Sequence, residues 1–219
     1  MHVLFLRILA QALLAVALLF PGSLLAASLL PGFEYGTPKS AIASREGVSM
    51  GKEDFQDHAF LKGVQWAGYA WTAQCHFSDV GLNGVTLYSS YSRELLTQIS
   101  DYLKAQKFQM LGMIIDDKAL DMISLVKLGG IKAFQKRFRE LTSAHIPQKI
   151  SYAWYDITKI PQEQLRDAAS LGQLLMLVPK DTLQVDVTQS ANGKELTDRM
   201  LTVHFSYPIM DELRKHPNP

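Results

Sequence analysis

Three observations in this sequence predict a single layered domain of α/β or α+β class, with strand–helix alternation and a C-terminal β-hairpin. β-prone and helical stretches alternate from Gly84 to Leu175, the order from which layered domains are built. Near the end, two runs with apolar residues at every second position flank Asn192-Gly193, the signature of a hairpin. Of the 219 residues 47% are hydrophobic and 20% charged, a composition that supports a packed core.

The chain opens with an apolar run, Ile8–Phe20, preceded by Arg7, broken by Pro21-Gly22 and followed by the small residues Ala26, Ala27 and Ser28. Basic start, short apolar core and small residues at the end are the three parts of a secretory signal. The reading is a signal peptide over residues 1–28, cleaved after Ala27 or Ser28. The alternative is an uncleaved membrane anchor over residues 3–20, interrupted by Arg7. Removal of Arg7 with the signal leaves 21 basic against 21 acidic residues. That balance gives no support to a nucleic-acid partner, and membrane contact is expected only through an uncleaved N-terminal segment. Cys75 is the sole cysteine and no Asn-x-Ser/Thr acceptor occurs, which suits a bacterial periplasm.

Residues 29–51 carry Pro31, Pro38 and four glycines without apolar period and read as an extended arm. Residues 52–210 form the globular domain and 211–219 a tail. From Glu53 to Cys75 two periods compete. Phe60, Val64, Ala67, Trp71 and Cys75 form a helical stripe, while Val64, Trp66, Gly68 and Ala70 alternate as in a strand. A helix to Lys62 is expected, and residues 63–77 stay open between the two. Val85–Tyr88 reads as a strand. Ser92 then caps a helix whose buried face is Leu95, Ile99, Tyr102 and Leu103. Phe108–Ile115 is a nearly continuous apolar run, which suits a strand covered on both faces. A helix from Lys118 to Ser143 is expected to hinge at Gly129-Gly130. Ile150–Ile157 is another strand, and Pro161 opens a third helix that buries Leu165, Ala168, Ala169 and Leu175. In the closing hairpin the apolar residues Leu183, Val185, Val187 and Leu201, Val203, Phe205 are all odd-numbered. Only an odd-length loop puts both sets on one face.

Candidates for chemistry are few. Asp116 and Asp117, with Asp121 four residues on, would stand at the end of a buried strand, where open sheets bind ligands and where carboxylates hold Mg²⁺. The competing reading makes one of them a cap for the helix at Lys118. Cys75 could serve as a nucleophile with a remote histidine such as His58, His145 or His204; adjacent His76 points to the other face. No histidine lies three to five residues from another, so no metal site and no cofactor is expected. His204 reads as a solvated residue on a polar strand face. Trp66, Trp71 and Trp154 could line a ligand cleft or simply be buried. Lys132, Lys136, Arg137 and Arg139 form a small basic helix face. The functional expectation is an exported, periplasmic accessory or binding protein of the bacterial cell envelope. It is non-enzymatic, with an envelope protein or small ligand as partner. The alternative is a secreted hydrolase using Cys75 or the Asp116–Asp117 pair.

Overall fold

Antiparallel pairing builds this chain's sheet. The computed structural model describes residues 27–53, 56–143, 145–191 and 199–209. Their elements run β1 (Ser28–Leu30), β2 (Phe33–Glu34), α1 (Lys39–Ala43), β3 (Val48–Glu53), β4 (Gln56–Trp66), β5 (Tyr69–Ser78) and β6 (Gly81–Ser90). There follow α2 (Arg93–Ala105), β7 (Phe108–Ile115), β8 (Lys118–Asp121), α3 (Met122–Thr142), β9 (Lys149–Asp156), α4 (Gln162–Asp167), α5 (Leu171–Leu175), β10 (Gln184–Ala191) and β11 (Arg199–Ser206). β1 and β2 make a small ribbon. The other nine strands form one sheet in the order β3-β4-β5-β6-β11-β10-β9-β7-β8, each neighbour antiparallel. The fold is thus mixed α+β, dominated by a large antiparallel sheet. The expected layering of alternating strands and helices is not confirmed, since most of the described residues belong to the one antiparallel sheet and the helices are few.

The stretch from Gln56 to Cys75, expected as helix to Lys62 and left open beyond it, is instead the hairpin of β4 and β5. Ala67 and Gly68 sit at φ 50° and 82°, as a two-residue hairpin turn with primed geometry demands. Gly63 is a bulge: its φ is 75° and the pairing shifts between Lys62 and Val64. A bulge inserts one unpaired residue and so exchanges the two faces. Ala59 and Leu61 face the core before it, Val64 and Trp66 after it. That change of parity produced the false helical stripe.

One sheet face is packed along most of its width. Trp71, Ala73 and Cys75 of β5, Val85 and Leu87 of β6, and Leu201, Val203 and Phe205 of β11 join Leu95, Ile99 and Leu103 of α2 in one core. The α2 expectation holds in detail, down to Ser92 Oγ accepting from Leu95 N at 3.0 Å. Residues 29–51, expected as an arm, belong to this core through Leu29, Leu30, Phe33, Tyr35 and Ile42. The Tyr207 hydroxyl fastens them by donating to Ser28 O at 2.9 Å. β7 is covered on both faces only in part: Leu111 packs in one cluster and Met113 and Ile115 in another, while Ile114 is 46% exposed.

β8 replaces the first turn of the helix expected at Lys118. α3 starts at Met122 and breaks at Gly129-Gly130, where Gly130 has φ 63°. The helix expected after Pro161 is split into α4 and α5. It buries Ala168 and Leu174 and leaves Ala169 exposed. β10 and β11 pair Val185 with Phe205 and Val187 with Val203, so odd faces odd as the apolar pattern requires. The Asn192-Gly193 turn, residues 1–26 of the expected signal peptide and the residues after 209 lie outside the described residues. Among those residues no helix is long and apolar enough to cross a membrane.

Candidate functional site

Strand register brings together three histidines that lie far apart in sequence. His58 of β4 pairs with His76 of β5, and His76 with Gly84 of β6. One step along, Thr86 pairs with His204 of β11. These residues share the sheet face opposite Cys75 and Val85, since strand neighbours alternate. Gly84 supplies the room, for a Cβ there would stand 3.0 Å from His204 Cε1. The three imidazoles form a row of edge-to-face rings, with centroids 5.1 Å apart for His58 and His76 and 5.4 Å for His76 and His204.

Thr86 is the hinge of the cluster. Its Oγ1 lies 2.7 Å from His76 Nε2 and 2.9 Å from His204 Nδ1. A hydroxyl has one proton, so it can donate to one ring and accept from the other when the two rings carry complementary tautomers. The ring that accepts the hydroxyl proton is then unprotonated at that nitrogen. His58 is 6% exposed, and its buried Nδ1 has no hydrogen-bond partner. Gln74 and the Tyr88 hydroxyl hydrogen-bond beside the cluster. Burial, then His204, then His58 pull the His76 pKa down to about 4. Asp186 of β10 pairs in register with His204. Burial raises its carboxyl to about 6, against the Gln184 hydrogen bond and the Lys149 charge.

These two groups link stability to pH with opposite signs. Unfolded His76 takes its proton near pH 6.5 and the folded residue near 4, so stability present above 6.5 is lost as pH falls through that window. Asp186 takes its proton near 6 when folded and 3.8 when unfolded. Its contribution therefore rises as pH falls through 6 towards 3.8 and is lost on the way back up. Between pH 4 and 6 the two nearly cancel. Asp186→Asn is expected to steepen the acid loss by on the order of 2 kcal/mol relative to wild type, and His76→Gln to change it in the other direction. Denaturant unfolding between pH 4 and 7 measures both, and parallel profiles for the three proteins would refute the assignment.

The residues singled out from sequence lie elsewhere. Cys75 is fully buried, and burial pushes its thiol up to about 12, so it supplies no thiolate at neutral pH. Asp116 sits in the β7–β8 turn at φ 54°. Its carboxylate accepts from Gln148 N at 2.8 Å, Lys149 N at 3.0 Å and His145 Nε2 at 2.9 Å. Led by the His145 bond, these hold it below the usual carboxylate range. Asp117 is exposed. Neither caps a helix: Asp121 caps α3, its Oδ1 accepting from Ile123 N and Ser124 N and its Oδ2 from Leu171 N at 2.7 Å. Asp117 and Asp121 share no helix face, because residues 118–121 are strand. Among the described residues no three His, Cys, Asp or Glu side chains are placed to hold a metal ion.

Trp66, Trp71 and Trp154 are all buried in the main core, and Trp71 Nε1 donates to Trp66 O at 3.0 Å. His204 is half-buried in the cluster rather than solvated. A cavity of about 200 Å³ lies between β7, α3 and α4, lined by Met110, Leu111, Met122, Ile123, Val126 and Leu165. It is smaller than the usual range of small-molecule sites. The sequence signal for the histidine row was slight: His76 and His204 hold the even, polar positions of strands whose odd positions are apolar. Nothing local says that their strands, separated by more than a hundred residues, lie on either side of β6. The chain matches no protein-family model, no curated protein and no solved structure with which it was compared.

Proposed function

We propose that this chain is an exported, non-enzymatic binding or accessory protein of the bacterial cell envelope, with the row His58–His76–His204 as its recognition site. The observation that supports this best is the geometry at Thr86. The Thr86 hydroxyl and two imidazoles exchange donors and acceptors there, and such a set recognises a polar group by hydrogen bonding. The groups a hydrolase would use are occupied otherwise: the Cys75 thiol is enclosed and the Asp116 carboxylate closes a turn.

Fractionation of a bacterial host expressing the tagged chain, followed by thiol labelling of the released native protein, tests the reading. The expected result is release by osmotic shock, an amino terminus near Ser28, and a Cys75 that labels only after denaturation. Recovery in the cytosol would overturn export. Rapid labelling of the native protein would overturn the non-enzymatic reading, since it requires an accessible thiolate.

A further inference from the structure

α3 has two anchors on two faces of the sheet and nothing to bury between them. Its first half is fixed by Ile123, which packs with Leu111, Tyr155 and Leu174, and by the bonds of Asp121 to Ile123, Ser124 and Leu171. Its second half packs Phe134, Phe138 and Leu141 on Met113, Ile115 and Ile150. The helix therefore passes around the edge of the sheet at β8, and the Gly129-Gly130 break makes that passage possible. At the break the chain presents aliphatic side chains outward. Leu128 is 84% exposed, Ile131 58% and Val126 46%. Met176 and Leu177, just beyond α5, are also exposed.

The charge around these side chains is one-sided. Residues 122–142 contain Lys127, Lys132, Lys136, Arg137 and Arg139 against a single acid, Glu140. Glu140 is already bonded by Arg137 at 3.1 Å. Lys132 and Lys136 are exposed and unpaired among the described residues. The balanced charge of the whole chain hides this local excess.

We propose that the Gly129-Gly130 bend of α3 docks on an anionic lipid surface, with Leu128 and Ile131 entering the headgroup boundary and Lys132 and Lys136 on the phosphates. Aliphatic residues interleaved with lysines are the composition of interfacial membrane contacts, where lysine stems reach outward along the apolar surface. Protein–protein interface cores are instead poor in lysine and rich in aromatics, and this patch contains no aromatic residue. The surface lies at the β8 edge, several strands from the histidine row, so either reading can fail without the other.

The test is local, so that the N-terminal segment of the full chain contributes equally to every arm. Leu128→Cys in a Cys75→Ala background carries a polarity-sensitive dye and is titrated with vesicles. A blue shift is expected with equal parts phosphatidylglycerol and phosphatidylcholine, none with phosphatidylcholine alone, and reversal at about 0.5 M salt. Lys132→Glu with Lys136→Glu should weaken the dye-reported binding at least about tenfold, from about 1 kcal/mol for each lysine near an anionic surface. These exposed positions leave the fold intact, which unfolding curves verify. An equal shift with both vesicle types, or no shift with either, overturns the proposal. A shift in buffer that grows with protein concentration also overturns it, and assigns the patch to self-association.

Discussion

Trp71→Ala is expected to lower the unfolding free energy by about 4 kcal/mol, the range found when a buried tryptophan is truncated. The side chain is 1% exposed, its ring packs edge-to-face on Trp66 with centroids 6.0 Å apart, and its indole N–H holds the Trp66 carbonyl. Truncation leaves a cavity in the main core and removes the indole's bond to the carbonyl at the end of β4. For a domain of this size the melting temperature should fall by roughly 10 °C. Trp71→Phe keeps most of the volume and loses the hydrogen bond, so it should cost clearly less. Urea unfolding of the three proteins decides the matter. Equal midpoints for wild type and Trp71→Ala would mean that this core is not packed as described.

Gly81→Ala should be comparably damaging, and for a different reason. Gly81 opens β6 at φ 103°, and a Cβ there would stand 2.5 Å from Thr37 O and 2.7 Å from Gly36 O. Both are backbone atoms and cannot rotate away. The strap at residues 36–37 is bonded to the start of β6, with Gly36 N donating to Leu82 O at 2.7 Å and Leu82 N to Thr37 O at 2.8 Å. Relief of the clash must loosen those bonds and with them the burial of Tyr35 and Ile42. Overpacking and backbone strain of this kind cost about 3–5 kcal/mol together. Gly68→Ala is the control, because its φ is 82° and nothing lies within 4 Å of the added carbon. It should cost only the left-handed backbone penalty of about 1–2 kcal/mol. Unfolding curves, with limited proteolysis of residues 37–47 as a second readout, separate the two, and equal losses would refute the clash.

What could be read along the chain was whatever local chemistry decides. α2 is an example: an Ser92 cap and an apolar stripe specify start, direction and buried face before any partner is known. β7 ended where its apolar run ended. The hairpin of β10 and β11 came with its parity, because both apolar sets had to share a face. The same rules misled where one residue type serves two local structures. Aspartate both caps helices and tolerates the left-handed turn, and at Asp116 the turn prevailed because Ile115 pairs with Lys118. The third aspartate, Asp121, took the cap.

Two kinds of fact depended on the folded whole. One was parity through bulges. Gly63 exchanged the faces of β4 in mid-strand, and an alternation pattern that changes phase looks like a different period. The other was strand order. His58, His76 and His204 become neighbours only because β11 returns to lie beside β6, and their meeting needs a glycine at position 84 to leave the space. The sequence by itself determined which segments fold and which of their faces are apolar, since capping, alternation and turn preference act over a few residues. The place of the α3 bend was legible in Gly129-Gly130; the tertiary structure alone decided which polar faces meet and which sheet edge α3 bends around, because register and edge position are set by pairing between segments that carry no mark of each other.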